Sequence, residues 1–246
     1  MYQNKKNILN SDGKLKMKIY SEYIYEEKYN AIGTFLDKKG TIADKVHEDE
    51  SIKNHLPNWN IQNNEISFTK SKENIINLFG KVTYRSIAFK AVQPHTPTTF
   101  FDLSKKFVKK VKDVSNGIFK NENILRTGIR KISFIPIDKE FKVLHDDFKK
   151  KFFNSKLPYY DKCLDSQITL DFKIESKFIR VVFGVLKPKQ AEVFFTKNLI
   201  LSDDLKKSGY YIDIDIELNK KDKLNNNYEK IISEIQNNIL GDQNDK

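Results

Sequence analysis

Cysteine is almost missing from this chain of 246 residues. Cys163 stands alone, which excludes a disulfide framework and a multi-cysteine zinc site. Apolar runs are short. The longest, Val181 to Leu186, cannot cross a bilayer, so no membrane association is expected. Met1 to Lys16 carries lysines but no apolar stretch of a secretory signal, and a cytoplasmic location is the expectation. Glycine (9) and proline (6) are sparse, and no linker rich in them divides the chain. Also missing are GxGxxG, the Walker A loop, the GxSxG elbow and HExxH. Their absence argues against the common nucleotide-dependent enzymes and hydrolases. His47, His55, His95 and His145 show no metal-ligand spacing and read as surface histidines. Arginine is scarce as well. Lys plus Arg is 44, only Arg85, Arg126, Arg130 and Arg180 are arginine, and 44 − 4 leaves 40 lysines.

Enough apolar material is present to build a core: 39% of residues are hydrophobic and 12% aromatic, which excludes wholesale disorder. The charge balance is 44 − 33 = +11. A basic balance favours anionic partners, nucleic acid among them, through long-range attraction and counterion release. An A+T-rich genome would impose the same lysine excess on any protein. The arginines are therefore more informative, because their planar fork holds phosphate or carboxylate in two places at once.

Residues 1–16 read as a flexible leader, 17–241 as a single α+β domain and 242–246 as a disordered tail. Strand patterns occur at 17–26, 65–70, 81–93, 124–137, 164–175, 178–186, 191–196 and 210–218. Short polar turns at 175–177 and 187–189 suit an antiparallel meander. Phe100, Leu103, Phe107, Val111 and Val114 recur at spacings of three and four, predicting a helix over 99–115 with Thr99 as its cap and Asn116-Gly117 as its stop. Phe141, Leu144, Phe148 and Phe152 predict a second helix over 139–153, capped by Asp138. A third, over 225–240, ends at Gly241. The polar segment 37–64 has room for a short helix within 44–56. The expected fold is thus α+β, an antiparallel or mixed sheet with about three helices packed on it. The strand–helix order 81–93 then 99–115 recurs as 210–218 then 226–240. This suggests an internal duplication of architecture without residue identity.

Three surfaces carry candidate chemistry. Arg126, Gly128 and Arg130 share one strand face, because side chains alternate with period two. Two arginines flanking an open backbone make an anion site. The bland alternative is that both pair with acids across the sheet, such as Asp213 and Asp215. Those acids, with Glu217, form the second candidate: carboxylates at alternate positions could hold Mg²⁺ and organise phosphoryl chemistry. The plain alternative is the wet face of an amphipathic strand. The third candidate is the lysine face of the first helix, including Lys105, Lys109 and Lys112. The span 99–131 carries nine Lys/Arg against Asp102, Asp113 and Glu122, so 9 − 3 = +6. Such a face could track a nucleic-acid backbone, or it could simply be solvated. Its aromatic residues sit on the buried stripe, so no stacking platform for single strands is visible.

Three stretches resemble a sporadically distributed, uncharacterised bacterial family of similar length. They are FFDLSKKFVKKVKDV leading into ILRTGIRKISFIPI, the strand YYIDIDIEL with its closing helix, and the strand pair before the first helix. Arg126, Gly128 and Arg130 match an R-x-G-x-R strand, and Asp213 and Asp215 a late D-x-D strand. The chain departs from that family at its start, where LKMKIYSEYIY lacks a leading proline. The resemblance implies no activity. Its patchy occurrence points toward mobile-element or antiphage-defence genes. The expectation is a non-catalytic protein that binds an anionic partner or another protein, with a homo-oligomer as a structural variant. The alternative is a Mg²⁺-dependent enzyme acting on nucleic acid or nucleotide through Asp213 and Asp215.

Overall fold

A computed structural model describes residues 18–72, 75–93, 97–157, 159–174, 177–195, 203–218 and 227–241. The expected leader, the expected tail and His95 lie outside them. The first half of the chain runs β1 (Tyr20–Tyr29), α1 (Thr34–His47), α2 (Glu50–Lys53), β2 (Asn58–Ile61), β3 (Glu65–Lys72), β4 (Ile75–Thr83), β5 (Ser86–Val92) and the long helix α3 (Pro97–Val114). The second half runs β6 (Ile124–Pro136), α4 (Phe141–Phe152), β7 (Gln167–Ile174), β8 (Lys177–Leu186), the one-turn α5 (Ala191–Phe194), β9 (Gly209–Leu218) and α6 (Asn227–Leu240). The strands form one open sheet in the order β2-β3-β4-β5-β1-β6-β9-β8-β7. Every neighbouring pair is antiparallel. The fold is α+β. Each half starts with a central strand, passes through a helix, returns to the centre by a meander and ends in a helix.

Helices α1, α2, α3, α4 and α6 pack on one face of this sheet. Under α3, Phe100, Phe101, Phe107 and Val111 are wholly buried against Ile66, Phe68, Ile87 and Phe89. Burying a side chain of that size contributes roughly 1.5–3 kcal/mol. Gly80 of β4 is required for this fit. A Cβ there would lie 2.6 Å from Cζ of Phe107, so only glycine lets the helix settle onto the strand. In the second half, Leu144 and Phe148 of α4 and Ile232 of α6 belong to the same core as Ile179, Val181, Ile212, Ile214 and Ile216. A smaller apolar cluster includes Tyr20, Phe134, Leu186, Phe195, Leu205 and Tyr211. It belongs to the opposite face, since these strand residues alternate with the core-facing set.

The structure corrects several expectations. Six helices occur among the described residues, where about three were expected. Helix α1 is hard to read because Gly40 interrupts it and Gly33 precedes it without a side-chain cap. Its buried side is carried by Phe35, Ile42, Ala43 and Val46. The expected strand 81–93 is two strands, the end of β4 and all of β5. They are joined at Tyr84-Arg85, where Thr83 Oγ1 accepts hydrogen bonds from the N–H groups of Arg85 (3.1 Å) and Ser86 (2.9 Å). The apolar phase shifts across that turn, from Val82 to Ile87, Phe89 and Ala91. The expected strand 191–196 is instead α5, whose buried Ala191 is followed four residues later by buried Phe195, a helical spacing. Thr99 lies inside the first turn of α3, which already includes Pro97. Helix α4 starts after Glu140 rather than at Asp138.

Candidate functional site

The six residues expected to bind an anion divide between two surfaces. Arg126, Gly128 and Arg130 lie on β6, on the sheet face away from the main core. Strand β9 runs antiparallel beside them, with Arg130 opposite Asp215 and Gly128 opposite Glu217. Both arginines reach carboxylates of β9. The Nη2 of Arg126 donates to Asp215 Oδ1 and Oδ2 at 2.6 and 2.7 Å, and its Nε lies 3.6 Å from Glu217. Arg130 grips Asp213 in parallel fashion, Nε to Oδ1 at 2.8 Å and Nη2 to Oδ2 at 2.5 Å. Tyr211 adds a third donor, its hydroxyl lying 3.1 Å from Asp213 Oδ2. The hydrogen bonds to Asp213 push the Arg130 pKa up. Gly128 opens its backbone to its own neighbour: a Cβ there would meet the Arg126 guanidinium at 3.0–3.1 Å.

The pairing continues across the sheet. Arg180 of β8 holds Asp171 of β7 at 2.7 and 2.8 Å. On the other side, Lys90 pairs with Glu22 at 2.8 Å and Lys81 with Glu65. Burial of Glu22, only 2% exposed, raises its pKa despite Lys90 and Arg130. This face is a ladder of internally matched charges. The carboxylates proposed for Mg²⁺, Asp213, Asp215 and Glu217, are the arginines' partners. Among the described residues no group of three His, Cys, Asp or Glu is placed to hold a metal.

The lysines meet elsewhere. Lys105, Lys109 and Lys112 fall at i, i+4 and i+7 on α3, which is one helical face. With Lys120 they line an open groove of about 1030 Å³ beside the turn that follows the helix. Tyr25, Val108 and Phe119 supply its apolar lining. Asn116 and Gly117 make that turn with positive φ (51° and 78°), stopping the helix as the sequence anticipates. Lys109 forms no ion pair among the described residues, and Lys105 only approaches Asp102 at 4.0 Å.

At the edge of the groove sits a polar cluster that the sequence reading missed. Glu27 is 6% exposed. It accepts hydrogen bonds from the hydroxyls of Tyr25 (2.8 Å) and Tyr29 (2.5 Å), and Lys112 Nζ lies 2.6 Å away. Lys112 also donates to Asn121 Oδ1 at 2.8 Å. Burial, reinforced by Glu27, pushes both tyrosine hydroxyls well above their usual pKa. The signal was present in YIYEEKY: period two places Tyr25, Glu27 and Tyr29 on one side, a carboxylate inside an aromatic face. Lys112 is thus a structural cation, and Lys105, Lys109 and Lys120 are the outward ones.

His145 is not a surface residue. It is 4% exposed, stacks on Phe141 at 5.3 Å, and its Nε2 lies 2.8 Å from Ser166 Oγ. Burial, helped by Lys149, lowers its pKa. Cys163 donates to the carbonyl of Asp165 at 3.0 Å, and no histidine contact accompanies it among the described residues. No helix of the described residues is long and apolar enough to cross a membrane. No protein-family model matches the chain, and no curated protein is similar to it.

Proposed function

We propose that the protein is a non-catalytic binding protein for an anionic partner, and that the partner is the phosphate backbone of a nucleic acid docked along α3. The carrying observation is the groove itself. Lys105, Lys109, Lys112 and Lys120 line it together with Glu27, Asp113 and Glu122. Glu27 holds Lys112 and Glu122 lies 3.7 Å from Lys120, which leaves Lys105 and Lys109 as its least engaged cations. The arginines of β6 are engaged with β9 and hold the sheet. Repeated point charges one helical turn apart match a chain of phosphates, and the lysines of α3 supply them. The Mg²⁺-dependent alternative has less support, since Asp213 and Asp215 each already accept from an arginine. The resemblance to a patchily occurring bacterial family adds a role in an antiphage-defence or mobile-element module, in the cytoplasm. In the same spirit, the recurring pairs β5–α3 and β9–α6 fit an internal repeat.

Titration of a labelled oligonucleotide at several salt concentrations tests the binding role. Affinity should fall steeply with salt. The variant Lys105→Glu/Lys109→Glu should flatten the log–log slope by roughly one per lost phosphate contact. Binding that ignores both salt and these substitutions removes the nucleic-acid reading and leaves a protein partner.

A further inference from the structure

We propose that the protein self-associates by pairing strand β7 antiparallel with β7 of a second copy. The two edges of the sheet are unlike. Strand β2 is four residues long and follows Pro57, a short edge of the kind that resists pairing. Strand β7 has eight residues, contains no proline and pairs with β8 without a register shift. Its other side has no neighbour among the described strands. Of the usual protections of a long edge it carries only two charged side chains, Asp171 and Lys173.

Its side chains are self-complementary in a register centred on Phe172, the one that pairs opposite charges across the seam. Ile168, Leu170, Phe172 and Ile174 alternate onto the core-facing side, yet Leu170 and Ile174 remain 46% and 37% exposed. Thr169, Asp171 and Lys173 occupy the other side. Residues directly opposite one another in an antiparallel pair share a face. A two-fold axis at Phe172 therefore sets Phe172 against its own copy and Leu170 against Ile174, twice. The same axis sets Asp171 against Lys173 of the second copy, twice. Moving the axis to residue 171 would oppose Asp171 to Asp171, and moving it to 173 would oppose Lys173 to Lys173. Slipping by a single residue would set the apolar side of one copy against the polar side of the other. Asp171 is held in place by Arg180, whereas Lys173 makes no ion pair among the described residues. The dimer would supply its missing carboxylate and merge the two sheets into one.

Sedimentation equilibrium of the full chain over a concentration series tests this. The wild type should show a monomer–dimer equilibrium. Lys173→Glu turns both cross-copy attractions into repulsions and should raise the dimer Kd roughly tenfold. Leu170→Lys should do at least as much, with an unchanged circular dichroism spectrum because Leu170 is already exposed. In a Cys163→Ser background, Phe172→Cys should form a disulfide-linked dimer on mild oxidation, while Thr169→Cys should not. A wild type that stays monomeric throughout overturns the proposal, as does a dimer whose Kd is the same in both surface variants.

Discussion

The arginines of β6 and the lysines of α3 are both basic, and both were candidates for the same task. Their fates differ because a sheet and a helix arrange neighbours differently. On the sheet, a cation on one strand has a side chain of the next strand about 5 Å away. Here several of these cations reach an acid of the next strand: Asp213 or Asp215 beside the arginines, Asp171 beside Arg180, Glu22 beside Lys90. On α3, three of the four residues one turn from Lys109 are lysines (Lys105, Lys106 and Lys112) and the fourth is Asp113, so a cation there mostly neighbours cations. Lys110 and Lys112 escape by reaching other elements, Asp49 at 2.9 Å and Glu27 at 2.6 Å. The difference teaches that clustering of arginine in a sequence signals structure as readily as ligand binding.

Removing a carboxylate from the sheet should show the largest contrast. Asp213 is 7% exposed and accepts from Arg130 and Tyr211. Asp213→Ala should cost about 2 kcal/mol of unfolding free energy in urea, tempered by the part of Arg130 that stays in water. Adding Arg130→Ala should recover part of that loss, since no cation is then left unpaired. A cost under half a kilocalorie would mean that the ladder is decorative.

A smaller effect attaches to the pair that ties β1 to the segment before β9. Lys18 and Tyr20 donate to Asp204 at 2.8 and 2.7 Å, and the Lys18 hydrogen bond leads the causes that hold this carboxyl well below its usual 3.8. A lowered folded pKa means the stabilisation is complete above the unfolded value and is lost as pH falls through the folded one. Asp204→Asn should therefore cost about 1 kcal/mol at pH 7, and the gap to wild type should narrow as pH falls below the usual carboxylate range. Thermal melts from pH 7 down to 2 measure it. An equal deficit at both ends would assign the loss to packing instead. The smallest effect should come from Lys109→Ala, which removes no ion pair and should leave the melting temperature unchanged while weakening oligonucleotide binding. A lowered melting temperature would erase the distinction between the helix and the sheet.

Much of the fold follows from short-range pattern. The alternation Tyr211, Asp213, Asp215, Glu217 against Ile212, Ile214, Ile216 specifies a strand with one wet side whatever surrounds it. The stripe Phe100, Leu103, Phe107, Val111 likewise specifies an amphipathic helix. Helix α1 was illegible because its glycine and missing cap remove local signals, and tertiary contacts hold it: Phe35, Ile42, Ala43 and Val46 in the core, and Lys39 donating to the carbonyls of Gln62 and Asn63. The Tyr84-Arg85 turn hid because it uses a threonine hydroxyl rather than glycine or proline. Of the candidate site, the lysine face was readable. Its connection to Tyr25, Glu27 and Tyr29, some eighty residues earlier, was not.

Residue order alone determined that the protein has one cysteine, a net charge of +11, alternating strands and a helix whose lysines share a face. Those properties depend on neighbours within a few positions. Only tertiary structure decided which cations are spent and which stay outward. That outcome rests on strand order and register, which bring β9 beside β6 and β1 beneath α3. Such long-range pairings are selected by the fit of whole faces, and no local pattern encodes them.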